Sequence, residues 1–254
     1  MMRYHWLTLL AYALAAARAG SAPSPDNCRA RPKERRYLLV DITRYEIALV
    51  DEGRALFESK AIVGSKKTPT PCLRTEVTGI GFNPWWILPK SIAVREVLPW
   101  VQQDSEYLSR HGIRVVRRTQ KGPQVLAPRS LAWHQMGPSH FPVVLEQSPG
   151  PTNPLGALKL LMPNPYLVTV HATTEPELYQ AARRAFSHGC VRVEKALELA
   201  WVLIARTKTR APIEELKRRA AAGETFSVPL ATKIPIYFAR GLPTDEAPEI
   251  TQAE

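Results

Sequence analysis

Three cysteines and six histidines are spread over 254 residues, and they come close together in one place, Ser187-His188-Gly189-Cys190-Val191-Arg192. A thiol reacts usefully at neutral pH only when a base takes its proton. Two imidazoles could serve Cys190: His188, two residues back, and His171, nineteen residues upstream. Gly189 lets the chain turn tightly, so that its own N–H and that of Cys190 could face a substrate and hold an oxyanion. Arg192 could bind a substrate carboxylate, and Ser187 could make a local hydrogen bond. Thiol, imidazole and oxyanion donors together describe acyl transfer through a thioester. Two other readings stay open on the residues alone. A cysteine ahead of a helix can be a small buried apolar residue. His-x-Cys can also be part of a metal site, but four ligands are needed, and Cys28 and Cys72 show no CxxC spacing.

The elements that must position these residues read as mainly strands. Tyr37 to Ile42, Glu46 to Val50, Ala55 to Val63 and Thr75 to Phe82 are apolar or β-branched runs parted by turn residues, with Asp51-Glu52-Gly53 as a hairpin turn. Ser91 is placed to cap a short helix in the aromatic-rich segment Pro84 to Pro99. Gln102 to Leu108 reads as another, closed by His111-Gly112. Residues 113 to 155 show no strong period, which suggests a flap or lid. Tyr166 to Val170 reads as a strand ending at His171, a rigid mount for a base. Glu175 to Ala185 reads as partly helical. Glu194 to Arg206 and Pro212 to Ala222 read as helices, and Ile234 to Phe238 as a last strand.

Composition bounds the class. Charged residues are 22% and hydrophobic residues 45%, which excludes wholesale disorder. Three cysteines cannot staple a chain of this length, and 23 prolines argue against an all-helical bundle. Arg3, the eleven-residue apolar run Trp6 to Ala16 and Ala17-Arg18-Ala19 have the form of a cleaved secretory signal. The run is too short to span a membrane. Export leaves an odd thiol to be explained, and whether Cys28 and Cys72 pair stays open. Removing residues 1–19 lowers the formal charge from +11 to +9, and Arg114 to Lys121 is a candidate contact for an anionic polymer. No nucleic-acid recognition motif accompanies the basic residues.

His171, a spacer of fifteen residues, and then Ser187-His188-Gly189-Cys190-Val191-Arg192 resemble the signature of the YkuD-type L,D-transpeptidases. Phe82-Asn83-Pro84-Trp85-Trp86-Ile87-Leu88-Pro89-Lys90-Ser91-Ile92-Ala93 resembles a segment of the large Gram-negative type. So do Gly64 with Thr68-Pro69-Thr70-Pro71, Asn153-Pro154-Leu155-Gly156, and Arg184-Ala185-Phe186. The resemblance implies a mixed α/β, mainly β, catalytic-domain sandwich over 37–239, with a lid inserted at 100–152. A signal at 1–19, a linker at 20–36 and an acidic tail at 240–254 flank it. It further implies Cys190 as nucleophile and His171 as its base, oriented by the Ala172 carbonyl. His188 supports the loop or the oxyanion hole, Ser187 and Arg192 are expected to contact substrate, and Trp86 either lines the donor groove or packs as core. The expected reaction is 3→3 cross-linking of diaminopimelate in peptidoglycan tetrapeptide stems, in the periplasm, by a monomer that needs no metal or cofactor. Family members are also acylated by carbapenems. The alternative is an L,D-carboxypeptidase or a hydrolase of wall-linked lipoprotein using the same Cys/His site.

Overall fold

The computed structural model describes residues 28–30, 32–104, 106–207 and 212–241. The expected signal and nearly all of the acidic tail lie outside them. In chain order the elements are β1 (Arg36–Asp41), β2 (Glu46–Asp51), β3 (Arg54–Gly64), β4 (Leu73–Phe82) and β5 (Trp86–Ile87). A helical turn (Lys90–Ile92) and a π-helical turn (Ala93–Val97) lead into α1 (Leu98–Gln103) and α2 (Tyr107–Arg110). Then come β6 (Ile113–Thr119), β7 (Gly122–Leu126), β8 (Val144–Gln147), β9 (Leu158–Leu161) and β10 (Val170–His171). The chain ends with β11 (Ala185–Ser187), β12 (Val191–Val193), α3 (Ala196–Ala205), α4 (Ile213–Ala221) and β13 (Phe226–Ala239).

Nine strands form one sheet in the order β11-β3-β12-β10-β9-β4-β13-β1-β2. The eleven-residue β3 pairs with β2 through its first half and with β12 and β11 through its second. The sheet therefore curls until its two ends meet at β3, and it encloses one core. Leu38, Ile47, Val77, Ile80, Leu158, Val170, Val191 and Ile236 point into that core, and α3 adds Leu199, Ala200 and Leu203. Phe82 is fully buried between Trp201 and Phe226, each stacked with ring centroids 4.9 Å away. Truncating such a ring typically costs about 3–5 kcal/mol.

The stretch 113–155, which lacks a strong period, holds real strands. β5, β8, β6 and β7 form a second sheet, and this unit has its own core of Leu88, Val97, Leu98, Leu108, Val115, Trp133 and Leu145. It draws in residues ahead of position 100 as well. Its strands escape the eye because their outward positions alternate irregularly, as in the burial pattern of β6, and no two adjoin in sequence without a long loop or a glycine turn. Two asparagines brace the segments where the chain passes between this unit and the rest. Asn153, fully buried, donates to the carbonyls of Pro84 (3.0 Å) and Ser148 (3.1 Å). Asn83, at φ 43°, donates to the carbonyls of Ala220 and Glu224.

Other expectations need correction. Ser91 lies inside the helical turn and makes no capping bond; Pro89 precedes the turn instead. The helix expected over Gln102 to Leu108 is broken at Asp104, whose carboxylate accepts the Glu106 N–H (2.9 Å) and pairs with Arg110. Of the expected strand 166–170 only Val170 is in a strand, joined with His171 as the two-residue β10. Asn164 competes for the backbone: its amide donates to the carbonyls of Met162 and Val168 and its oxygen accepts the N–H groups of Tyr166 and Val168, while Leu167 takes φ 55°. Of the expected linker 20–36, the described residues 28–30 and 32–36 include several that pack on the sheet. Cys28 and Ala30 are buried, and Glu34 accepts from Tyr237 (2.5 Å) and Arg74 (2.5 Å). The two partners hold the Glu34 carboxyl down at about 2.

Cys28 forms a disulfide with Cys72, Cα–Cα 5.5 Å, closing a loop of sequence separation 44. Loop-closure entropy for that length is about 4 kcal/mol. Cys28→Ser, or reduction, is expected to lower the unfolding free energy by about that much in urea titrations. A loss below about 1 kcal/mol would mean that the amino-terminal segment is held by its non-covalent contacts alone.

Candidate active site

Cys190 and His171 are brought to one place by a two-residue parallel pairing. Val170 pairs with Val191 and His171 with Arg192, and Val191 N–H donates to Thr169 O at 2.9 Å. Val170 and Val191 face the core, so His171 and Arg192 face the other way. Cys190, two residues before Arg192, shares their face. This is the chain of placement from the alternating pattern to the site.

His171 is 4% exposed. Its Nδ1 lies 2.6 Å from the Ala172 carbonyl oxygen, and an Nδ1–H donated there leaves the Nε2 lone pair as the proton acceptor. Burial lowers its pKa to about 4; the Ala172 carbonyl opposes this, and the charges of Arg192 and Lys159 add to it. The imidazole is therefore neutral at pH 7. Burial raises the Cys190 thiol above its ordinary value, against the Thr169 backbone and the same two cations, which lower it. Both directions favour a thiol beside a neutral imidazole at rest over thiolate with imidazolium.

The loop 187–190 is held from inside and outside. Ser187 Oγ donates to Cys190 O (2.5 Å) and accepts the Gly189 N–H (3.0 Å). Gly189 takes φ 115°, a conformation that suits glycine. Its N–H, expected to face substrate, is thus engaged by Ser187, and the Cys190 N–H is the motif donor left for an oxyanion role. The loop 64–71 clamps the other side. Thr70 Oγ1 donates to Gly189 O (2.9 Å) and accepts the Gly64 N–H (2.8 Å). Thr68 Oγ1 donates to Ser187 O, and so does the Ser65 N–H. A Cβ on Gly64 would sit 2.2 Å from Thr68 O, so this close approach requires glycine.

The remaining expected residues do other work. His188 is half exposed, and its Nε2 lies 2.9 Å from Glu96 Oε1 in the π-helical turn. It joins the motif to the second unit, in whose core Ala93, Val94 and Val97 pack. Arg192 is mostly buried and is engaged by Glu175. Trp86 packs against the core of the second unit, and Arg114 lies 3.9 Å over the Trp85 ring while pairing with Glu146. Arg117 and Arg118 stay exposed on β6. Sequence reasoning passed over Glu96, Glu175 and Lys159. The signal for Lys159 was present, a cation alternating with buried leucines in Leu158–Leu161.

Two outcomes follow. The iodoacetamide alkylation rate of Cys190 is expected to rise about tenfold per pH unit from pH 7, with no plateau below the ordinary thiol value of about 8.5; a plateau reached by neutral pH would show an ion pair instead. Thr70→Val removes a buried donor and acceptor at little change in size. It is expected to cost about 1–3 kcal/mol in thermal or urea unfolding and to slow acylation of Cys190, while Thr70→Ser keeps both.

The chain is similar to known proteins over most of its length. Residues 35–213 match the family model described as the L,D-transpeptidase catalytic domain, YkuD. A Haemophilus influenzae protein named "Putative L,D-transpeptidase" is 28% identical over 202 residues, 79% of this chain; the chain spans 40% of that protein's length. Among solved structures, an L,D-transpeptidase from Mycobacterium smegmatis aligns over 80% of this chain and 58% of its own, at 13% identity and TM-score 0.36. L,D-transpeptidase 3 from Mycobacterium tuberculosis aligns over 80% and 60%, at 11% identity and TM-score 0.36. The match over residues 35–213 carries the conclusion: the chain belongs to the YkuD family of L,D-transpeptidase catalytic domains.

Proposed function

We propose that the protein is a peptidoglycan L,D-transpeptidase that forms 3→3 diaminopimelate cross-links through a thioester on Cys190. The observation that carries this reading is the shared face of Cys190 and His171, with the imidazole oriented by Ala172 O. His171 Nε2 takes the thiol proton as Sγ attacks the carbonyl on the carboxyl side of the donor's diaminopimelate. The Cys190 N–H supports the oxyanion. The imidazolium then protonates the departing amine, the C–N bond breaks and D-alanine leaves, and the acyl group stays on sulfur. In the second step the side-chain amine of a diaminopimelate on another stem attacks the thioester. His171 takes the proton of that amine, and the thiol is restored as the new amide forms. A neutral imidazole at the start of each step suits both half-reactions.

The substrate of the family is outside the cytoplasm, and the Cys28–Cys72 disulfide supports an oxidising compartment. The signal expected at 1–19 is the proposed route there, with the periplasm as destination. Among the described residues no helix is long and apolar enough to cross a membrane. Arg117 and Arg118, exposed on β6, remain the proposed contact with the carboxylates of the wall.

Product analysis tests the proposal. Purified protein with tetrapeptide stems is expected to give diaminopimelate-linked dimers, and Cys190→Ala to give none, a loss of at least about a thousandfold. A carbapenem is expected to add its mass to Cys190. Tripeptides without dimers would identify a carboxypeptidase on the same site, and dimers from Cys190→Ala would refute the mechanism.

A further inference from the structure

The face that carries His171 continues one strand beyond it. Lys159 of β9 stands directly opposite His171 in β10 and directly opposite Gly81 in β4, so the three share one face. Its neighbours Leu158 and Leu160 are buried in the core, which directs Lys159 to the catalytic side. With no side chain at Gly81, the stem of Lys159 has room there; a Cβ added at Gly81 would come 3.7 Å from Lys159 Cγ. The order across the sheet is then Arg192 and Cys190 on one strand, His171 on the next, and Lys159 on the third.

The two cations flanking His171 are not equivalent. Arg192 is satisfied by Glu175. Lys159 is half-buried and has neither a carboxylate nor a hydrogen-bond partner among the described residues. Burial lowers its pKa, and it shares electrostatic interactions with Cys190 and His171. A desolvated ammonium without an anion is costly to hold, and thiol and imidazole alone account for both half-reactions. What remains to be explained is the anion that Lys159 waits for. In the transpeptidase reading the imidazole hands its proton to the departing amine, so the departing residue lies over His171. The terminal carboxylate of that residue is one carbon away from the amine. The next side chain past the imidazole is Lys159.

We propose that Lys159 binds the terminal carboxylate of the residue that leaves the donor stem, so that the site reads a free carboxyl end one residue beyond the scissile bond. This inference rests on the transpeptidase reading for its substrate. It assigns donor length a physical cause: a stem one residue longer presents a neutral peptide bond to a buried ammonium, and a polar site rejects a substrate that leaves it unpaired.

The test compares a tetrapeptide stem with its carboxyl-terminal amide, using wild type, Lys159→Met and Lys159→Arg. Wild type is expected to prefer the acid by at least about tenfold in kcat/KM. Lys159→Met is expected to lose the preference, read as the ratio of the two kcat/KM values, with its folding checked by thermal unfolding. Lys159→Arg is expected to keep the preference. Equal loss on both substrates, or no preference in wild type, overturns the proposal. If wild type turns over neither stem, the transpeptidase reading falls, and the carboxylate site is decided separately. N-acetyl-D-alanine should then slow iodoacetamide alkylation of Cys190 in wild type and Lys159→Arg but not in Lys159→Met, and its amide should protect none of them. Absence of protection by the acid in wild type overturns the site itself.

Discussion

Two hydrogen-bonded residue pairs, Val170 with Val191 and His171 with Arg192, carry the organisation of the site. The pairing is parallel, so it cannot be closed by a tight turn; parallel strands need a long connection. Here the connection is the segment from Ala172 to Cys190, and it returns the chain to the same sheet beside its point of departure. The alternation of the two strands then sorts the side chains. Valines go to the core and bind the sheet together, while His171, Arg192 and, just before the strand, Cys190 go to the opposite face. A slip of one residue would send the imidazole into the hydrophobic core. The depth of that core is therefore also what fixes the register of the site.

The same burial shapes the electrostatics. A dry face with two cations nearby favours the uncharged imidazole, and it disfavours the bare thiolate despite those cations. Charge appears only as the reaction proceeds. Such a site gains from rigidity, because a neutral thiol must be aimed rather than attracted. The hydroxyls of Ser187, Thr70 and Thr68 supply that rigidity by tying the loop's own carbonyls and N–H groups to one another and to Gly64. The consequence for the motif is that its serine and glycine act on the backbone, and the histidine within it reaches outward to Glu96.

Much of this was legible in the sequence, for identifiable reasons. Strands β1 to β4 and helices α3 and α4 follow the apolar period directly, and Cys190 and His171, the proposed nucleophile and base, are marked by their residue types. What was hidden depended on side chains that override local pattern. Asn164 unmakes a strand that Tyr166 to Val170 spell out, by taking four backbone partners for itself. Asp104 divides a helix in the same manner. The sheet of the second unit was hard to see because β8 pairs with β5 and β6 across long segments, and the β6–β7 hairpin is short and mostly exposed. The roles of Glu175 and Glu96 are contacts between distant segments, and nothing in either neighbourhood announces them.

Closure of the main sheet at β3 has an effect away from the catalytic face. Strands β2 and β12 both end against β3, so the large sheet offers little free edge on which another chain could template a strand. Among the described strands the end strands are β11 of the main sheet and β5 and β7 of the smaller one; β7 is a five-residue strand with Pro123 near its start and Gln124 and Val125 exposed. A proline withholds an amide from any incoming strand, and Arg117 and Arg118 stand on its neighbour β6. Short end strands and the proline in β7 leave little border on which edge-to-edge aggregation could start.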